Sequence, residues 1–137
     1  MQRRSEAQPV RPETRVLLGD TMGEMFAYFR AADVAFVGGS LVPTGGQNLI
    51  EACATGTPVL IGPHTFNFAE ATTQAIAAGA AVRVDDADAL GDAGNRLLRD
   101  PAARASMADA GQRFAAAHRG ATGRAVSFVE AALSRRR

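Results

Sequence analysis

The sequence contains no lysine and no tryptophan, and it has one cysteine and one tyrosine among 137 residues. Its 15 arginines are balanced by 14 acidic residues, which leaves a formal net charge of +1. Proteins that bind nucleic acid usually concentrate many more positive charges on one face. We therefore expect no nucleic-acid partner, and any ligand has to be argued from local sites.

Disulfides and membrane spans are also missing from the pattern. The single cysteine, Cys53, cannot form an intramolecular disulfide, and its apolar surroundings favour an inert buried thiol over a nucleophile. No apolar run approaches the roughly 20 residues that a membrane-spanning helix needs. The polar N-terminus has no hydrophobic signal segment. The sequence as given predicts a soluble chain of a reducing compartment.

Residues typical of metal or catalytic centres are scarce. The two histidines, His64 and His118, are distant in sequence and are not accompanied by clustered carboxylates or thiols, so we predict no metal site. No serine, histidine and aspartate arrangement suggests nucleophilic catalysis. We predict no catalytic residue and no cofactor for this chain.

From Arg15 onward, short apolar runs alternate with helical patterns. The polar residues 1–14 are predicted to form a loop at the edge of a domain that spans residues 15–137. This alternation predicts an α/β Rossmann-like domain with three layers and a parallel sheet. Four strands are fewer than a doubly wound nucleotide domain usually has, so the first βα unit is predicted to be absent. The predicted strands are 16–18, 34–37, 58–61 and 81–84, and the predicted helices are 22–32, 47–55 and 68–78.

Three further helices are predicted after residue 85. Asp86 is a suitable N-cap for the first of them. Asp100 and Pro101 end that helix and begin the second, with aspartate as the cap and proline in the first turn. Gly120 separates the third.

The most informative stretch is VGGSLVPTGGQNLIE at 37–51, which leads from a strand through two glycine pairs into a helix. At that position, backbone N–H groups and the positive end of a helix can converge on a phosphate. The stretch matches neither the dinucleotide fingerprint nor the Walker pattern, so a sugar nucleotide is favoured. The possible phosphate or sugar contacts in it are Gly38, Gly39, Ser40, Gly45, Gly46 and Gln47.

Asn48 and Glu51 stand three residues apart and therefore project from one face at the start of the predicted helix. A carboxylate there can accept hydrogen bonds from both vicinal hydroxyls of a ribose. A purely structural explanation has equal weight for the pair alone: Asn48 caps the helix and Glu51 favours its first turn. The flanking glycines favour the ligand-binding role.

Two other loops follow predicted strands. In GDTMGE at 19–24, Thr21 and Glu24 match a capping box, which explains both residues structurally. Gly23 costs about 1 kcal/mol relative to alanine inside a helix, which is understandable if a flat ring approaches the backbone there. In GPHTFNFAE at 62–70, His64 is a possible phosphate or sugar contact, although a loop histidine is more often a structural hydrogen bonder.

Taken together, GDTMGEM at 19–25, AADVAFVGGSLVPTGGQNLIE at 31–51 and GPHTFNFAEA at 62–71 resemble the Kdo transferase family of lipopolysaccharide synthesis. Kdo is 3-deoxy-D-manno-octulosonic acid. The resemblance covers about residues 15–71. It implies the C-terminal half of a GT-B glycosyltransferase, whose role is to bind the donor CMP-Kdo. It also implies that the CMP-binding residues are Met22, Gly23, Glu24, Asn48, Leu49, Ile50 and Glu51.

The resemblance has two departures and one large gap. Gln47 replaces a common histidine of the family, and Leu49-Ile50 replaces proline-leucine, so a charged role at position 47 is not expected. The family's N-terminal half, with its catalytic glutamate base and acceptor site, has no counterpart in this sequence. A proline-arginine pair that contacts CMP in the family's first C-terminal strand is likewise expected upstream of residue 1.

The family's reaction transfers Kdo from CMP-Kdo to a lipid A precursor, lipid IVA, at the cytoplasmic face of the inner membrane of Gram-negative bacteria. By this resemblance we expect the present chain to bind CMP-Kdo and CMP, and to show no turnover alone. Two alternatives stay open: a non-catalytic nucleotide-binding module, and one half of a UDP-sugar transferase or epimerase.

Overall fold

A computed structural model describes residues 1–118 together with positions 126, 128 and 133. Its strands form two parallel sheets, one with the order β1-β2 and one with the order β3-β4-β5. The strands are β1 Gln2–Arg3, β2 Leu17–Leu18, β3 Ala35–Val37, β4 Val59–Ile61 and β5 Ala81–Arg83. The α-helices are α1 Met25–Ala31, α2 Ile50–Thr55, α3 Ala69–Ala77, α4 Ala87–Arg99 and α5 Pro101–Ala117, and short 3-10 helices cover Arg4–Glu6 and Phe66–Phe68.

The three-stranded sheet lies between two helical layers because successive residues of a strand point to opposite faces. On one face, Val59 and Ile61 belong to a core with Cys53 of α2 and Phe114 of α5. On the other face, Leu60 packs with Ala93 and Leu97 of α4. Both faces of the central strand β4 are therefore covered, as its continuous apolar sequence requires. The predicted three-layer α/β domain is confirmed.

The four predicted strands are confirmed, but they do not form one sheet. β3 pairs with β4 and β4 with β5, whereas β2 pairs only with β1 in the described part of the chain. In the common doubly wound order 3-2-1-4-5-6, the first strand separates the second and third strands from the other three. The division into a pair and a triplet of parallel strands resembles the two outer parts of that order.

The loop predicted for residues 1–14 is wrong at its start. Gln2 and Arg3 form β1, paired with Leu17 and Leu18. Only 3% of Gln2 is exposed, and its amide oxygen accepts hydrogen bonds from the Arg11 N–H and the Thr14 hydroxyl. These hydrogen bonds offset the cost of burying a polar side chain, so a polar segment folds where composition alone indicates a loop.

Helix boundaries agree with the sequence where the signal is local. The Asp86 carboxylate accepts from the Ala89 N–H at 2.8 Å, and the Asp100 carboxylate accepts from the Ala103 N–H at 2.9 Å, so both predicted caps are confirmed. The helix predicted from residue 22 begins only at Met25, because Gly23 has φ +80 and cannot belong to an α-helix. The third predicted tail helix, after Gly120, lies largely outside the described residues.

The buried cysteine of α2 confirms its predicted structural role. Cys53 has no exposed surface, and burial raises the pKa of its thiol to about 11. The backbone of Gly111 in α5 packs directly against it, since a Cβ at Gly111 would lie 3.2 Å from the Cys53 carbonyl oxygen. The thiol therefore stays protonated and serves as a small apolar group between two helices.

None of the described helices is both long and apolar enough to span a bilayer.

Candidate functional site

The candidate site lies at the carboxyl ends of β2 and β3, where the two conspicuous motifs of the sequence meet. The first motif leaves β2 and enters α1, and the second leaves β3 and enters α2. Ligands of open α/β sheets bind at this edge of the sheet. Two adjoining cavities are found there.

The first cavity, called the α2 cavity here, has a volume of about 440 Å³. It contains the side chains of Gln47, Asn48 and Glu51 at the start of α2, together with apolar surface from the strand and from α1. Its full lining is Met25, Phe29, Phe36, Val37, Gly38, Gln47, Asn48 and Glu51. The lining thus combines apolar surface with a few polar side chains, as is typical of a site for a small-molecule ligand.

The second cavity, called the α1 cavity, has a volume of about 450 Å³ and lies beside the 19–24 loop. Its lining is Leu17, Gly19, Thr21, Met22, Gly23, Met25 and Tyr28. Met25 lines both cavities, so they adjoin at this side chain, and the two together are called the groove here. The groove brings together residues of both predicted CMP-binding motifs, which are separated by more than 20 positions in the chain.

Asn48 and Glu51 form the polar end of the groove, and both are partly exposed. The Asn48 amide nitrogen donates to Glu51 Oε1 at 3.3 Å, while the Asn48 oxygen accepts from the Ile50 N–H at 3.0 Å. The predicted cap is wrong by one position, because Leu49 is the N-cap residue of α2 and has no side-chain cap hydrogen bond. Asn48 nevertheless accepts from the first N–H of the helix, and its amide orients the Glu51 carboxylate. The second oxygen of Glu51 is left for a ligand, so the two explanations weighed from sequence are compatible.

Leu49 and Ile50 take a different place from their two neighbours. Leu49 has no exposed surface, and Ile50 packs against the core around α2 and α5. Neither residue lines a described cavity. The side chains of Leu49 and Ile50 pack in and against the core beneath α2, so the structure does not bring them to the groove, and their contact with CMP stays a prediction.

The capping box predicted for Thr21 and Glu24 does not form. The Thr21 hydroxyl donates to the Glu24 carboxylate itself, and Glu24 is the N-cap residue of α1 without a side-chain cap hydrogen bond. The positive φ of Gly23 separates Thr21 from the helix and removes it from the cap position. The hydroxyl of Thr21, followed by the guanidinium of Arg4 at 2.8 Å, lowers the pKa of Glu24. The Glu24 carboxylate is therefore engaged by Thr21 and Arg4, and among the predicted CMP-binding residues of this loop it is Met22 and Gly23, not Glu24, that line the α1 cavity.

The glycine-rich loop after β3 is stabilised largely by its own hydrogen bonds. Gly39, Gly45 and Gly46 have φ values of +71, +92 and +71, which explains why glycine occupies these positions. The Gly46 N–H donates to the Gly39 carbonyl at 3.1 Å, so this donor is not directed at the groove. Of the two glycine pairs, only Gly38 lines a described cavity.

Ser40 joins the glycine-rich loop to the loop after β4. It is fully buried; its hydroxyl donates to the Val37 carbonyl and accepts from the Gly62 N–H at 2.8 Å. The Ser40 carbonyl accepts from the His64 N–H at 2.9 Å. Ser40 therefore has a structural position, and the structure does not bring its side chain to the groove.

The third motif, at 62–71, does not reach the groove either. His64 is partly exposed but lines neither of the two cavities. A separate cavity of about 520 Å³ lies next to the start of α3, and its lining includes Phe66, Asn67, Gln74 and His118. The amide of Asn67 donates to the Thr44 carbonyl at 3.2 Å, so the loop after β4 is hydrogen-bonded to the glycine-rich loop.

Sequence reasoning missed several residues around the groove. Met25, Tyr28 and Phe36 line it, and Met25 was visible as the last letter of the 19–25 motif. Ser5 was hidden in the segment predicted as a loop; its N–H and hydroxyl donate to the two carboxylate oxygens of Asp20 at 2.9 and 2.8 Å. These hydrogen bonds, first of all the one from the backbone, lower the pKa of Asp20.

No group of three or more histidine, cysteine, aspartate or glutamate side chains within the described ranges is arranged to hold a metal ion. The lining of the groove offers hydrogen-bonding groups, apolar surface and the carboxylate of Glu51.

The chain is similar to known proteins over most of its length. The model of the family described as "Glycosyl transferases group 1" matches residues 1–114. The chain is 57% identical over 119 residues to the 3-deoxy-D-manno-octulosonic acid transferase of Bordetella pertussis, a match that covers 87% of this chain and 28% of that protein. It is 38% identical over 134 residues to the Haemophilus influenzae transferase of the same name, over 97% of this chain and 31% of that protein. The chain spans about three-tenths of the length of these relatives.

A solved structure is similar as well. The C-terminal CMP-Kdo binding domain of WaaA from Acinetobacter baumannii matches with a TM-score of 0.78 and 32% identity, over 83% of this chain and 60% of that chain. This likeness confirms the predicted C-terminal half of a GT-B glycosyltransferase. The chain therefore belongs to the group 1 glycosyl transferases, and its predicted resemblance to the Kdo transferases among them is confirmed.

Proposed function

We propose that this chain binds CMP-Kdo and is the donor-binding part of a transferase that moves Kdo to a lipid A precursor. The observation that carries the proposal is the groove. Its α1 cavity is lined by Met22 and Gly23, its α2 cavity is lined by Asn48 and Glu51, and Met25 lines both. The similarity to a CMP-Kdo binding domain supports the same ligand. The part of the site that binds the acceptor, and a position at the cytoplasmic face of the inner membrane, belong to this proposal for the whole enzyme.

The two cavities suit different parts of CMP. Glu51 presents a carboxylate that is oriented by Asn48, and a carboxylate can accept hydrogen bonds from two vicinal ribose hydroxyls. In the α1 cavity, Met22 and Met25 offer apolar, polarisable surface, and Gly23 has no side chain above its backbone. A flat pyrimidine can approach that backbone closely. We therefore place the ribose in the α2 cavity and the cytosine in the α1 cavity.

In the proposed reaction, a sugar hydroxyl oxygen of the acceptor bonds to the anomeric carbon of Kdo. The bond between that carbon and the phosphate oxygen breaks, and CMP leaves with the electron pair. A base outside this chain accepts the hydroxyl proton. The residues of the groove hold the nucleotide leaving group in place, which contributes positioning but no proton transfer.

Nucleotide binding is the direct test of the proposal. At 100 times its dissociation constant, CMP should stabilise the folded chain by about 2.7 kcal/mol, which corresponds to a rise in the unfolding temperature of several degrees. UMP and AMP at the same concentration should produce smaller shifts, and thermal scans measure all three. A larger shift with UMP would support a UDP-sugar enzyme, and no shift with any of the three would contradict the proposal.

Turnover should be absent in the isolated chain. Incubation with CMP-Kdo and lipid IVA is expected to yield neither free CMP nor a Kdo-modified lipid above the level of a sample without protein. The physical reason is that no base and acceptor site are predicted in these residues. Chromatography measures both products. If both were released, the chain would contain a base that we have not identified.

A further inference from the structure

We propose that Ser5 is a positioning residue for nucleotide binding, and that it acts by fixing the 19–24 loop through Asp20. Arg4 assists it through Glu24. This inference rests on the proposed function and adds to it a segment that none of the recognised motifs includes.

The contacts between the two segments are specific. The Ser5 backbone N–H donates to Asp20 Oδ1 at 2.9 Å, and the Ser5 hydroxyl donates to Asp20 Oδ2 at 2.8 Å. Glu24 lies four residues after Asp20, and its Oε1 accepts a hydrogen bond from Arg4 Nη2 at 2.8 Å. The loop is thus held at both ends by neighbouring residues of the 3-10 helix Arg4–Glu6.

Within the loop itself the Thr21 hydroxyl donates to the Glu24 carboxylate, and the two residues between them are exposed. Met22 is 96% exposed, and a Cβ built on Gly23 would meet no atom within 4 Å. Glycine loses more conformational freedom than any other residue when its backbone is fixed. A loop that adopts the binding shape only part of the time has an affinity reduced by that fraction. The two anchors raise the fraction and therefore the affinity for CMP.

If Ser5 had only a structural role, its loss would lower the affinity and the unfolding temperature together. Ion pairs and hydrogen bonds at exposed sites contribute little to the stability of the whole fold. The Arg4 and Glu24 side chains are 45% and 30% exposed. Loss of the Ser5 hydroxyl should therefore weaken nucleotide binding while the unfolding temperature stays nearly unchanged. The hydrogen bonds that Ser5 donates, first from its backbone and then from its hydroxyl, lower the pKa of Asp20.

The test compares Ser5→Ala with Ser5→Thr and a matched control. Ser5→Ala should raise the dissociation constant of CMP about tenfold, which corresponds to about 1.4 kcal/mol. Ser5→Thr keeps the hydroxyl and should restore the affinity. Ser106→Ala removes an exposed serine of α5 far from these motifs in sequence and should change nothing. Titration calorimetry gives the affinities, and thermal scans give the stabilities.

A double-mutant cycle shows whether Ser5 acts through its partner. In an Asp20→Ala background, Ser5→Ala should cause no further loss of affinity, because the acceptor of its hydroxyl is gone. Hydrogen exchange at residues 21–24 should be faster in Ser5→Ala than in the wild type.

The outcomes separate this inference from the proposed function. If the wild type binds CMP and Ser5→Ala binds equally well, the positioning role is wrong and the proposed function stands. If the threonine variant fails to restore affinity, or if affinity and unfolding temperature fall together, the positioning role is also wrong. If the wild type binds no nucleotide, both proposals are wrong.

Discussion

Glu51→Ala is expected to remove CMP binding almost completely. The carboxylate is the acceptor that we assign to the two ribose hydroxyls, and Asn48 orients it from 3.3 Å. Hydrogen bonds to a charged group contribute about 1.5–3 kcal/mol each, so the loss of two corresponds to at least a hundredfold weaker affinity. Titration calorimetry with CMP is the measurement, and a thermal scan verifies that the variant is folded.

Two further variants sharpen this test. Glu51→Gln keeps the shape and one acceptor oxygen but loses the charge, so its affinity should lie between those of the wild type and Glu51→Ala. Glu70 is also a glutamate in the first turn of a helix, α3, and Glu70→Ala should leave the affinity unchanged. An unchanged affinity in Glu51→Ala would remove Glu51 from the site and would leave only its role in the first turn.

Gly62→Ala is expected to have the largest effect on stability. A Cβ at this position would lie 2.2 Å from the Ser40 carbonyl oxygen and 2.7 Å from the Leu41 nitrogen, both of them backbone atoms. Moving the loop after β4 away from the glycine-rich loop would also weaken the hydrogen bonds that Gly62 and His64 donate to Ser40. We expect a loss of about 3–5 kcal/mol, a large share of the stability of a typical domain. Urea unfolding measures the change.

Gly91→Ala is the matched control for this substitution. Gly91 lies within α4, and a Cβ there would meet no atom within 4 Å. Alanine is favoured over glycine in a helix interior by about 1 kcal/mol, so this variant should be more stable than the wild type. A typical point mutation changes the free energy of unfolding by about 1 kcal/mol. If the free energy of unfolding of Gly62→Ala differed from that of the wild type by no more than this, the close approach of the two loops would be contradicted.

Much of the fold follows from local signals in the sequence. The strand of residues 59–61 is a short, fully apolar run between Pro58 and Gly62, and such a run indicates a strand buried on both faces. Asp86 and Asp100 mark helix starts because a cap needs only a hydrogen bond to a residue three positions ahead. Signals of this kind depend on neighbours in the chain, so one sequence is enough to predict them.

The missed features depend on contacts between distant residues. β1 forms because Gln2 pairs with Leu17 and buries its amide among three partners, none of which can be inferred from polar composition. The division into two sheets depends in the same way on which strands become neighbours. Propensity and periodicity describe each segment alone and contain no information on its pairing partners.

The candidate site shows the same distinction. Asn48 and Glu51 were predictable, because helical spacing places residues three apart on one face. The engagement of the Ser40 hydroxyl by Gly62 was not, since the two residues are 22 positions apart. Ser5 likewise reaches Asp20 across 15 positions. The motif predicted a site at the edge where the groove lies, and tertiary contacts decide which of its side chains line the groove.

The position of the methionines gives the chain a set of natural spectroscopic labels. It has four of them, so selective methyl labelling would give a spectrum with four signals. Met22 and Met25 lie in the groove, whereas Met107 packs against the α4 core. Events at the nucleotide and the integrity of the interior are therefore reported by different resonances in a single spectrum, and no foreign probe has to be attached.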